Sequence, residues 1–142
     1  MHPFWKRPTR GGPPPIDHQH RELQAVIEHL AAHPEATARS RPILEALDRL
    51  MRYGSNHLHA EEALLRVHGY PELDSHAEDH RRFRHMMALL SVAATSGVGE
   101  FPAALVDEVP AVLRDFVTRW WNAHVLVADR RCARFLEDRG VV

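Results

Sequence analysis

The chain has 142 residues, 44% hydrophobic and 26% charged, with a formal net charge of −1. That length fits one domain whose core needs no disulfide, and a near-neutral chain without a basic block argues against nucleic acid or an acidic membrane surface as partner. No apolar run approaches the ~20 residues that span a bilayer, and the single cysteine, Cys132, cannot pair within the chain, which suits a reducing cytoplasm.

Residues 1–15 hold five prolines and lack the apolar stretch of a signal peptide. They read as an extended, Pro-rich N-terminal arm, because proline fixes φ and removes a backbone donor. Phe4 and Trp5 are expected to pin this arm to the folded domain, residues 16–142. Four helical segments follow, at about 17–32, 40–68, 73–96 and 103–138. Breaks at His33-Pro34, at Gly69-Tyr70-Pro71 and at Gly97-Val98-Gly99 separate them. Ser40 is expected to cap the second helix with Pro42 in its first turn, and Asp74 or Ser75 to sit near the start of the third. Pro110 is expected to kink the fourth or split off a short turn. Four amphipathic helices with short links predict an all-α, up-down-up-down antiparallel four-helix bundle.

Each helix carries an inward seam. The first has Ile16, His20, Leu23, Ile27 and Leu30; the second has Leu47, Leu50, Gly54, His57, Glu61 and Leu64. The third has His76, His80, Phe83, Met87 and Leu90, and the fourth has Leu113, Phe116 or Val117, Trp120, His124 and Val127. Metal-ligand types stand where leucine is expected. A buried imidazole or carboxylate without partners costs several kcal/mol, and a metal ion is the most economical partner for so many.

Twelve histidines are a high number for this length. His76 and His80 form H-x-x-x-H, one turn apart on one helix face. His57 and Glu61 repeat that spacing, and His20 and His124 join from the first and fourth helices. Five imidazoles with carboxylates suit iron better than calcium or magnesium, and exceed the four ligands of a structural zinc site. Two octahedral metals offer roughly twelve positions. Five histidines, two bridging carboxylates and a shared oxo or hydroxo group leave one position open, suited to a small diatomic ligand. His29 and His33 are expected to be solvent-exposed, as is Glu62. His18, His59, His68 and His85 read as solvated or as outer neighbours of the site, and Cys132 as a buried thiol.

The sequence resembles a single-domain prokaryotic hemerythrin. Ile16-Asp17-His18-Gln19-His20 is similar to that family's I-D-x-Q-H, and His57 to Glu62 to its H-F-x-x-E-E with Leu58 replacing phenylalanine. Gly69-Tyr70-Pro71 with His76 and His80 matches G-Y-P-x-x-x-x-H-x-x-x-H, and Trp120 to Asp129 matches W-x-x-x-H-x-x-x-x-D. The resemblance implies two iron ions, oxo- or hydroxo-bridged: His76, His80 and His124 on one, His20 and His57 on the other, Glu61 and Asp129 bridging. Asp129 enters only through the resemblance, since a step of five from His124 leaves the seam of an α-helix by about 140°. The implied oxygen pocket is lined by Leu58, Trp120, Trp121 and Val125. The family has an aliphatic residue where Trp121 stands, so this side chain either narrows the pocket or turns outward.

The implied function is reversible dioxygen binding for storage, delivery or sensing, by a binding protein that is not an enzyme in the strict sense. A di-iron enzyme using the same open position, as a peroxidase or in nitric-oxide processing, is the alternative, and an iron-handling protein the third. The ferritin-like pattern wants Glu-x-x-His motifs, which this sequence lacks.

Overall fold

The computed structural model describes residues 14–97 and 99–141, the stretch 14–19 by its backbone alone. The described residues form helices α1 (Pro14–Ala32), α2 (Arg41–Arg52), α3 (Leu58–Val67), α4 (Leu73–Thr95), α5 (Ala103–Asp107), α6 (Val109–Arg119) and α7 (Asp129–Asp138). A π-helical turn, Tyr53–His57, joins α2 to α3, and a longer one, Trp120–Ala128, joins α6 to α7. Four rods result: α1, α2 through α3, α4, and α6 through α7. α1 packs on α2, α2 on α4, α4 on α6, and α6 back on α1. Each rod lies beside its neighbour in sequence and the last closes on the first, which is the expected antiparallel bundle. No described helix is long and apolar enough to cross a membrane.

Local chemistry explains the ends. Pro14 and Pro15 open α1 instead of ending the arm, since a first turn needs no N–H from them; the rest of the arm, with Phe4 and Trp5, lies outside the described residues. Pro110 stands in the first turn of α6, which sets α5 apart as the short turn expected there. Ser40 precedes α2 as expected, but its hydroxyl donates to the Thr37 carbonyl at 2.6 Å and caps no helical N–H. The third rod starts at Leu73, with Asp74 in its first turn and the Ser75 hydroxyl donating to the Glu72 carbonyl. After α3, Gly69 takes φ 68°, while Tyr70 N–H reaches Leu65 O and Gly69 N–H reaches Arg66 O. This paired closure turns the chain sharply into the third rod.

The core fills along the expected seams until each π turn. In the third rod His76, His80, Phe83, Met87 and Leu90 are all buried. In the second rod Leu47, Leu50 and Gly54 are buried as expected, but beyond the π turn the inward residues are Leu58, Glu61, Glu62 and Leu65, with Leu64 only partly buried. In the fourth, Leu113, Val117, Trp120 and His124 hold the seam. Val127 is 46% exposed, and Val125, Asp129, Cys132 and Leu136 point inward instead. A π turn closes i→i+5 hydrogen bonds and so takes in one extra residue. Everything after it rotates by about 100° relative to an uninterrupted α-helix.

Candidate metal centre

The second π turn brings Asp129 to the site. Asp129 N–H bonds to the His124 carbonyl, so the residue five positions on stacks over His124 where an α-helix would place the fourth. One donor atom from each of Glu61, His76, His80, His124 and Asp129 lies within 4.8 Å of all the others, and all five residues are buried. His20, also buried, comes from α1 and donates from Nε2 to Asp129 Oδ2 at 3.2 Å. His57, the last residue of the first π turn, is half-buried with its ring 6.0 Å from that of Tyr53. It lies outside the five-residue group.

Both carboxylates contact the imidazoles of the cluster. Asp129 Oδ1 lies 3.0 Å from His124 Nε2 and 3.3 Å from His76 Nε2, while Oδ2 faces His20. Glu61 Oε1 meets His76 Nε2 and lies 3.4 Å from His80 Nε2. Its other oxygen, Oε2, is buried without a hydrogen-bond partner, as are Asp129 Oδ1, His20 Nδ1 and His124 Nδ1. His80 Nε2 and His124 Nε2 face each other at 3.0 Å. A buried polar atom without a partner is costly, and the donor atoms of Glu61, His76, His80, His124 and Asp129 crowd together at one centre. A cation there would satisfy them together. Imidazole and carboxylate donors fit an iron-type metal, with Cys132 outside the five-residue group and kept a thiol by burial.

Charge follows the same geometry. Burial opposes protonation of His76, but Asp129, Cys132 and Glu61 outweigh it and push the imidazole up to about 12. Burial likewise opposes the charge on His124, yet Asp129 and Asp79 raise it to about 9. Asp129, itself disfavoured by burial, is held well below the usual carboxylate range by His124, His20 and His76. On His76 and His124, protons thus compete with a metal in the metal-free protein.

The outward-facing nitrogens have their own neighbours. His80 Nδ1 donates to Glu62 Oε2 at 3.1 Å, and Arg84 Nη1 donates to the same oxygen at 3.3 Å. Burial raises the Glu62 carboxyl, but His80 and Arg84 bring it below its ordinary value. Glu62 is therefore buried, contrary to expectation, because the first π turn carries it inward with Glu61. His124 Nδ1 lies 3.7 Å from Asp79 Oδ2, and His76 Nδ1 lies 3.5 Å from Cys132 Sγ. Cys132 is a buried thiol, as expected. His29 departs from expectation: it is largely buried and donates from Nε2 to the Pro42 carbonyl at 3.0 Å. His33 is exposed.

Leu58, Trp120, Trp121 and Val125 are all buried in the main apolar core. Trp121 turns inward, fully buried, with its indole N–H unpartnered in the protein. Trp120 stacks on His124 at 3.9 Å between centroids and 13° between planes, and donates to the Tyr53 hydroxyl at 3.4 Å. Tyr53, Asp79 and Glu62 are the neighbours of the site that sequence reasoning missed. Tyr53 continues the α2 spacing three residues after Leu50 and was legible there, whereas Glu62 depends on a π turn and Asp79 is partly exposed. A cleft of about 110 Å³ lined by Tyr70, Glu72, Ser75, Asp79 and Arg131 reaches His76 from the surface.

The sequence matches the Hemerythrin HHE cation binding domain over residues 14–135. It is 26% identical over 130 residues to a bacteriohemerythrin of Stenotrophomonas maltophilia, covering 91% of this chain and 78% of that one. It is 22% identical over 124 residues to a bacteriohemerythrin of Campylobacter jejuni, covering 87% of each chain. A bacteriohemerythrin of Pseudomonas aeruginosa is 24% identical over 124 residues, covering 87% of this chain and 74% of that one.

Proposed function

The chain belongs to the hemerythrin family, and from that premise we propose that it binds dioxygen reversibly at two iron ions held between its four rods. Its buried histidine and carboxylate cluster makes it a non-haem metal-binding protein of iron-suited chemistry. The finer reading rests above all on Asp129, whose Oδ1 faces His76 and His124 while its Oδ2 faces His20. A carboxylate so placed suits a bridge between two ions. Glu61, with one oxygen toward His76 and His80 and the other buried and unpartnered, suits a second bridge.

In this reading His76, His80 and His124 hold one ion and His20 and His57 the other, with Glu61 and Asp129 shared. Bound there, a pair of ferrous ions supplies the electrons and the open coordination position that dioxygen needs. The rest falls to the protein. Leu58, Val125 and the two tryptophans exclude water from the pocket, which slows loss of a bound diatomic. Trp120 fixes the plane of His124 by stacking. Storage, delivery and sensing all fit this chemistry, and a reducing cytoplasm suits the lone thiol.

One observation favours a second reading. Trp121 is fully buried with an indole N–H that has no partner in the protein. A donor there would favour proton-coupled turnover, as in a di-iron peroxidase or a nitric-oxide-processing enzyme. One experiment separates the two. The visible spectrum of iron-loaded, anaerobically reduced protein is recorded before oxygen, with oxygen, and after its removal. An absorption band that appears with oxygen and leaves with it supports reversible binding. Direct, irreversible passage to the diferric spectrum sinks it and favours catalysis.

A further inference from the structure

The His80 ring nitrogens have sharply different surroundings. Nδ1 faces a buried carboxylate, Glu62, while Nε2 faces the centre of the cluster. A carboxylate at this distance accepts, so Nδ1 carries a proton and Nε2 is the nitrogen turned toward the cluster. Glu62 is itself held from the far side by Arg84, which donates to the same Oε2. The clamp is built into the packing of two rods. Gly54, in the first π turn, leaves room for the Arg84 stem: a Cβ there would stand 3.1 Å from Arg84 Cγ. Gly54 thus lets the Arg84 stem pass close to the first π turn.

We propose that Glu62, clamped by Arg84, is a positioning residue that fixes the tautomer and ring orientation of His80 and strengthens Nε2 as a metal donor. The inference rests on the di-iron reading, and extends it to a pair of residues outside the ligand set. Hydrogen-bonded carboxylates behind a ligating histidine orient the ring and raise its basicity, and their loss typically costs about 10–100-fold in metal affinity. Among the described residues His80 has the shortest such contact to a carboxylate. The corresponding distance from His124 to Asp79 is 3.7 Å.

The test uses the full chain and ferrous iron as the probe, with Glu62→Ala, Glu62→Gln and Arg84→Met compared with the unaltered protein. Circular dichroism checks that each variant keeps its helix content. Nitrogen NMR of the metal-free protein then reads the His80 tautomer. Expected in the unaltered protein is a single tautomer with the proton on Nδ1. Glu62→Ala should lose that preference and weaken iron binding by about 10–100-fold. Glu62→Gln keeps an acceptor and should retain the tautomer with a smaller loss of affinity, and Arg84→Met should fall between them. Iron affinity of Glu62→Ala within twofold of the unaltered protein would overturn the proposal, whatever the tautomer. Should the unaltered protein take up no iron, the di-iron reading fails instead. The tautomer measurement then still decides whether Glu62 positions His80.

Discussion

On one side of Asp129, His76 and His80 direct the outer ring nitrogen at Cys132 and Glu62, and the His124 ring lies stacked on Trp120 with its outer nitrogen 3.7 Å from Asp79. On the other side His20 has an outer nitrogen that is buried and unpartnered, and His57 lies half-buried on a π turn. The first set is oriented before any metal arrives. His20 is oriented by its Nε2 bond to Asp129 Oδ2. Rigid, pre-oriented donors lose less freedom on binding, so the three-histidine side should take metal first and hold it more tightly.

The most severe way to break this comparison is to remove the group both sides share. Asp129→Ala should abolish tight uptake of both ions, measured as iron retained per chain after gel filtration; full retention would show that Asp129 is no bridge. Next in size is the contrast between His80→Ala and His57→Ala. The former should lose tight binding altogether, whereas the latter should keep a single ion per chain. Equal losses would erase the asymmetry. Cobalt titration followed by paramagnetic NMR should sharpen it, with resonances of His76, His80 and His124 shifting before those of His20 and His57.

Acidity probes the metal-free state of the same groups. His124 and His76 have raised values, about 9 and about 12. Their contribution to stability is therefore complete below the unfolded value of about 6.5 and is lost as pH rises through the folded values. Asp129 is depressed, so its contribution is present above its unfolded value of about 3.9 and is lost as pH falls through the folded one. Urea unfolding of metal-free protein should find a maximum between these limits and a decline from pH 7 toward 10. Stability that rises over that alkaline range would contradict the pairing. Metal affinity should move the other way and increase with pH, because binding displaces those protons.

The smallest effect tests the register that delivers Asp129 to the three-histidine side. Val125→Ala should cost about 2 kcal/mol by removing a buried side chain, whereas Val127→Ala should stay within about 0.5 kcal/mol. Thermal melts that reverse this order would mean that the fourth rod runs as an uninterrupted α-helix.

Much of this architecture was legible in the residue order. The third rod is uninterrupted, so His76, His80, Phe83, Met87 and Leu90 face inward as a 3.6-residue period requires. His20, His124 and Glu61 were likewise readable as polar residues on apolar seams. Leu64 and Val127 were misplaced, and Glu62 was expected outside, for one reason: Leu64 and Glu62 follow a π turn and Val127 lies within one, and periodicity counted through such a turn is off by one residue. Asp129 could be named from resemblance but not from spacing.

The sequence by itself determined four rods, their order and most of the polar side chains that meet between them, because hydrophobic periodicity and proline and glycine punctuation act locally. Only the tertiary structure decided where the rods change from i→i+4 to i→i+5 hydrogen bonding. Both patterns satisfy the backbone, and local propensity does not choose between them. Packing against three neighbouring rods chooses, and that choice sets Asp129 over His124 and Glu62 behind His80.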